Sequence, residues 1–168
     1  MDPNDSHVST RGAFSTRFNE YFSREVAQKA AKSLADGVEI EFRIRESDGT
    51  VKETFVFTKA GGQNVVRPTP AEDPQLLFNL TPFAAEAILT DPATEIGVIG
   101  VNIAKLAVSP DANKRVSIQF KSGFLGLFSK GYFGVLSAGG SQFGAFLASK
   151  GLNGMGAIKA VLKKFKSE

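Results

Sequence analysis

The chain has 168 residues, 42% of them apolar and 22% charged, with 20 basic and 17 acidic side chains and a formal net charge of +3. That length predicts one folded unit over residues 13–168 behind a flexible N-terminus, 1–12, and the composition argues against wholesale disorder. With no cysteine, and His7 of the polar terminus as the only histidine, the chain has no thiolate, no cysteine-ligated metal and no histidine triad or base in a core.

The opening MDPNDSHVSTRGAF holds no apolar run to serve as a secretory signal, so a cytoplasmic protein is expected. Phe14, Phe18, Phe22, Val26, Ala30 and Leu34 then recur every fourth residue, which predicts a helix over 13–35 ending at Asp36-Gly37. Val38, Ile40, Phe42 and Ile44 alternate with Glu39, Glu41, Arg43 and Arg45, the pattern of a strand with one wet face. Ser47-Asp48-Gly49 is a hairpin turn, and 51–59 is the returning strand. Gly61-Gly62 precedes a third strand, 63–67. Pro68, Pro70 and Pro74 make an irregular connection to a fourth, 75–80.

Thr81-Pro82 is a helix start, and a helix over 83–89 follows. Residues 93–109 are rich in β-branched side chains, which favours a strand, yet Ile96, Ile99, Ile103 and Leu106 keep helical spacing. Helix is the reading chosen, with Asp91 as its cap and Glu95 near its positive end. Val116, Ile118 and Phe120 alternate inward on a fifth strand, 115–121. Helical pieces are expected over 125–130, 140–150 and 154–166.

The C-terminal third carries the functional signal. Ten of seventeen glycines lie beyond Ser122, interleaved with Phe124, Phe128, Tyr132, Phe133, Phe143 and Phe146. Beyond Asp111 there are nine basic residues and one acidic residue, Glu168, a balance of +8, against −5 for residues 1–111. Glycine amid large apolar residues permits close backbone approach or leaves room between helices. An acid-free basic end suits an anionic surface. In the last piece Lys159, Lys163, Lys164 and Lys166 share one face and Ile158, Val161, Leu162 and Phe165 another, so the lysines are candidate membrane-docking residues. No stretch is long and apolar enough to span a bilayer, since the uncharged run 131–149 is loaded with Gly, Ser and Gln.

Catalytic chemistry has few candidates. No Gly-x-Ser-x-Gly elbow or phosphate loop followed by Lys-Ser/Thr is present. Glu72-Asp73, Glu86 and Asp91 with Glu95 are the carboxylates considered for acid–base work. They are more simply turn and cap residues, so no enzyme and no cofactor is expected. Lys121, Phe124, Phe128, Lys130, Tyr132 and Phe133 could form a stacking platform for nucleic acid, but Leu125, Leu127, Val135 and Leu136 among them favour burial, and nucleic acid is not expected as a partner.

The run LLFNLTPFAAEAIL, the strand-like RVSIQFKSG, and the pairs Gly123-Phe124, Gly131-Tyr132 and Gly139-Gly140 resemble the bacterial-type branch of the sterol carrier protein-2 family of lipid-binding domains, over about residues 30–165. The resemblance implies an α+β fold: a five-stranded, mostly antiparallel sheet covered on one face by helices, with an apolar cavity between the sheet and the C-terminal helices. It implies noncatalytic binding and transfer of a sterol, fatty acyl chain or phospholipid. The residues expected to meet the lipid are Phe83, Ile99, Ile103, Phe120, Phe124, Phe128, Phe133, Leu136, Phe143, Phe146 and Leu147, with Lys121, Lys130, Ser141 and Gln142 as head-group candidates. The alternative is a protein-interaction or oligomerisation module that uses the Gly/Phe-rich C-terminal surface.

Overall fold

The computed structural model describes residues 13–138 and Ala145. In chain order the elements are α1 (Phe14–Ser23), α2 (Glu25–Ala30), β1 (Glu39–Arg45), β2 (Val51–Ala60), β3 (Gln63–Arg67), β4 (Leu76–Leu80), α3 (Pro82–Leu89), α4 (Ile96–Ala107), a 3-10 turn (Ala112–Lys114), β5 (Val116–Phe120), α5 (Phe124–Ser129) and α6 (Tyr132–Ala138). The readings made for 1–12, 140–150 and 154–166 fall outside the described residues.

The stripe expected on one helix over 13–35 is carried by two helices as far as Ala30, and Leu34 lies in the turn beyond them. A four-residue spacing overshoots a full turn by about 40°. Over five steps a straight helix would carry the stripe off the sheet. The chain resets at Arg24, whose extended ψ of 151° ends α1 and starts α2. Phe18 and Leu34 are thereby buried, and Phe14 and Phe22 pack against the same core.

Polar contacts fix where α1 lies. The Glu53 carboxylate accepts from the first helical N–H groups, Phe14 at 3.0 Å and Ser15 at 2.7 Å, satisfying donors that a helix start leaves unpaired. Arg17 forks onto Glu86 of α3, with Nη2 to Oε2 at 2.8 Å. Asn19 accepts from the Val66 amide of β3. The Asn64 side chain donates to the Phe22 carbonyl of α1 and the Ala27 carbonyl of α2.

The five expected strands form one sheet of order β3-β2-β1-β4-β5. The sheet is mixed, which corrects the expectation of a mostly antiparallel one: β1 and β4 are parallel, while β1–β2, β2–β3 and β4–β5 are antiparallel. The register explains how so short a connection achieves this. Arg67 pairs with Val56, Val56 with Glu41, and Glu41 with Leu77. So β3 ends in the row where β4 begins, and the chain has only to move sideways by three strand spacings, about 14 Å. Residues 68–75 cover that span without the dozen or more residues that parallel crossovers usually need.

This crossover also corrects the reading of β1 as a strand with one wet face. Glu39 and Glu41 are 9% and 4% exposed because the connection lies over them. Glu41 accepts from the Ala71 amide at 2.9 Å and from Arg43 at 2.7 Å. Glu39 accepts from the amides of Asp73 and Glu72 and from Arg67. Charge-assisted bonds of this kind are what make a buried carboxylate tolerable.

The opposite face carries the apolar core. Phe42 stacks on Phe55 and Phe78, and α1 adds Phe18 and Phe22 to the same aromatic cluster. Helix α3 starts as read, Thr81 accepting from the Ala84 amide with Pro82 at the first position. Helix α4 is a helix, but Asp91 is not its cap: Asp91 accepts from the Ala93 amide in the preceding turn, and the N-cap position is Glu95, with no side-chain bond.

Helix α6 was not foreseen; Gly134 and its short length hide it. It is held by tertiary contacts. Ala35 donates to the Lys130 carbonyl, Ser33 to the Gly131 carbonyl, and the Tyr132 hydroxyl to Gln75 Oε1 at 3.0 Å. Gln75 is itself 4% exposed, and its Oε1 also accepts from the Glu39 amide. Burial, aided by the nearby Glu39 charge, pushes the Tyr132 hydroxyl well above the usual phenol range.

Two expectations follow. Gly131 (φ +86°) and Gly37 (φ +85°) share a left-handed backbone, but a Cβ at Gly131 would sit 1.8 Å from the Ser33 carbonyl oxygen, whereas one at Gly37 would meet nothing within 4 Å. Gly37→Ala should cost about 1 kcal/mol and Gly131→Ala about 3 kcal/mol or more in urea unfolding; equal costs would deny the close approach of α6 to Ser33. Tyr132→Phe should cost about 1 kcal/mol near neutral pH, because Gln75 Oε1 keeps a second donor. The raised folded-state pKa means that the native chain holds this proton more tightly than the unfolded chain does. Its contribution is complete below about pH 10, the unfolded phenol value, and is lost as pH rises from there through the folded value. The stability gap between wild type and Tyr132→Phe should therefore narrow at about pH 11, and a constant gap would contradict this.

Candidate functional site

The helices do not tile the apolar face evenly. Helix α1 packs over β3 and β2, and α4 packs beside β5. Between them the central strands are left as the floor of a cleft of about 280 Å³. Ile40 and Phe42 of β1, Phe57 of β2, and Phe78 and Leu80 of β4 form that floor. One wall is Phe18, Tyr21 and Phe22 of α1 with Val26, Ala27, Ala30, Ala31 and Leu34. The other is Ile96, Ile99, Gly100 and Ile103, one face of α4, with Ile88 of α3 below. From the C-terminal helices, Val135 alone among the described residues reaches it.

Among the described residues the lining is apolar except at one rim. Arg24 lies there, its guanidinium 4.2 Å from the Tyr21 ring centroid and its Nε donating to the Tyr21 carbonyl. Burial raises the Tyr21 phenol above its ordinary range; Arg24 pulls it back and Asp91 pushes it up further. Past Tyr21, Ile88 and Ile103, a second pocket of about 370 Å³ opens, bordered also by Thr90, Asp91, Asn102 and Lys105. Asn102 donates to Asp91 there at 3.0 Å.

Of the residues expected to meet a lipid, Ile99 and Ile103 line the cleft. Phe120 packs at the edge of the core on β5. Phe83 is 51% exposed beneath the Lys114 ammonium, and Phe128 is 59% exposed; neither borders the cleft. Phe124, Phe133 and Leu136 belong to α5 and α6, but their side chains are outside the description, as are Phe143, Phe146, Leu147, Ser141, Gln142 and Lys159, Lys163, Lys164 and Lys166. Lys121 and Lys130 border neither pocket.

The sequence reading drew its lipid-facing residues from Phe83 to Leu147, and of the described ones Ile99 and Ile103 border this cleft. Most of its described lining comes from the first eighty residues, whose aromatics read as ordinary core. A signal was present: Ala27, Ala30 and Ala31 are small residues facing a sheet that offers Phe42, Phe57 and Phe78, which leaves space unfilled. Glu72 and Asp73 are exposed on the crossover, remote in role from the cleft. Among the described residues no cluster of His, Asp or Glu could hold a metal ion, and no helix is long and apolar enough to cross a membrane. No protein-family model matches the chain, and no curated protein or solved structure matches it significantly.

Proposed function

We propose that the chain binds a hydrophobic lipid without chemical change and carries it between membranes, as a sterol-carrier-like domain. The observation that carries this reading is the apolar cleft over β1 and β4. Its described lining contains no carboxylate and no histidine, and Arg24 at the rim is its one charged residue. Such a surface offers no general acid–base pair, but it removes methylenes from water. Each buried CH₂ contributes about 0.8 kcal/mol, so ten supply ~8 kcal/mol, the free energy of a micromolar complex before ordering costs. The surplus of lysines beyond residue 111 supports delivery at anionic membranes.

A second reading, a protein-interaction or oligomerisation module, is favoured by Leu125 and Phe128, which stand 78% and 59% exposed on α5. Single large apolar side chains at a surface are ordinary, and the cleft is the more specific feature.

The chain has no tryptophan, so Ile99→Trp places a single reporter in the cleft wall. Its emission should shift on titration with fatty acid, sterol or phospholipid. Native mass spectrometry of the purified protein should show a bound species extractable into organic solvent. Silence of the reporter toward all three lipid classes, with no bound lipid, would remove the lipid reading, and a stable lipid-free dimer would support the second.

A further inference from the structure

We infer that the two adjoining pockets form one site for a single-chain lipid with a carboxylate head, the tail lying in the apolar cleft and the head meeting Arg24 and Lys105 beside Tyr21 and Asn102. This rests on the lipid-binding reading and goes further by naming the ligand class and the head-group residues. Size comes first. The cleft and the second pocket hold about 280 and 370 Å³, together inside the ~300–1,000 Å³ usual for small-molecule sites. A site divided between two small pockets suits one flexible chain better than a rigid fused-ring sterol or a two-chain phospholipid.

Polarity changes along the site in the order an amphiphile requires. Tyr21, Ile88 and Ile103 border both pockets, so one wall runs through them. In the cleft the described lining is apolar up to Arg24; in the second pocket Asp91, Asn102 and Lys105 are added along it. Charge then selects the head. Asp91 is already satisfied, one oxygen by the Ala93 amide and the other by Asn102. Arg24 and Lys105 form no ion pair among the described residues. Two cations against one engaged carboxylate leave a single positive charge uncompensated, which matches a monoanion. Arg24 is preset for this: its stacking on Tyr21 and the bond from Nε to the Tyr21 carbonyl fix the guanidinium plane before any ligand arrives. A neutral hydroxyl head would gain much less from the same groups.

Titration calorimetry with hexadecanoate and hexadecanol separates tail from head. The wild-type chain should bind the acid at least about tenfold more tightly than the alcohol. Arg24→Gln should remove most of that preference, Lys105→Gln part of it, and Arg24→Lys should restore part of it. Affinity for the alcohol should fall much less than affinity for the acid in all three variants, and an unchanged urea-unfolding midpoint reports that the variants are folded. Equal binding of acid and alcohol by wild type, or an acid preference untouched by Arg24→Gln and Lys105→Gln, would overturn the head-group site while leaving the lipid reading in place. Failure of the wild-type chain to bind either probe would overturn the single-chain site, and the lipid reading falls with it if sterol and phospholipid are not bound either.

Discussion

The connection from β3 to β4 constrains everything built on the sheet. Its eight residues are pinned by backbone N–H groups donating to two carboxylates, Glu39 and Glu41, that β1 points away from the helices. Because the crossover occupies that face, the core-forming helices are left the other. Because it returns the chain parallel to β1, β4 pairs on the side of β1 opposite β2, and β1 becomes the central strand of the five. Buried carboxylates are costly when one partner is lost, so Glu39, with three amide or guanidinium donors, is a more sensitive position than its alternating pattern on a strand suggests.

An apolar cleft in water is under pressure to close, and the polar ties around α1 oppose closure. Glu53 holds the first turn, Asn19 and Asn64 hold the helix to β3, and the fork between Arg17 and Glu86 holds it to α3. Moving α1 toward α4 would break several directional bonds, each costing about 1–3 kcal/mol if its buried partner is left unpaired. The alanines of α2 do the rest by presenting little volume. The opening is therefore maintained by directional bonds along α1 together with the small volume of the lining alanines.

How much of this the sequence disclosed follows from the range of the interactions. Alternation at Val38–Ile44 and at Val116–Phe120, the turn glycines, and Thr81-Pro82 are local signals, and the strands and α3 appear where those signals stand. The helical spacing of Ile96, Ile99 and Ile103 likewise outweighed their β-branched shape, because all three face one cleft. Burial of Glu39 and Glu41 was hidden because it depends on a loop some thirty residues away. The parallel pairing was hidden because it depends on the stagger of β3. The break at Arg24 and the existence of α6 depend on what each helix packs against. For the site, the cues taken were glycine and phenylalanine content, which report composition rather than position. The alanine face of α2 opposite the phenylalanines was the informative pattern.

The stagger that allows the short crossover also orders events during folding. The turns between β1 and β2 and between β2 and β3 close small loops, so those hairpins are entropically inexpensive to nucleate. The β1–β4 ladder joins residues 36 apart, as Glu39 and Gln75 are, so closing it costs more chain entropy than closing either hairpin. Ile40, Phe42, Phe78 and Leu80 come together only at that step. A partly folded chain therefore exposes the hairpin faces to solvent, and to other chains, before it possesses a cleft floor.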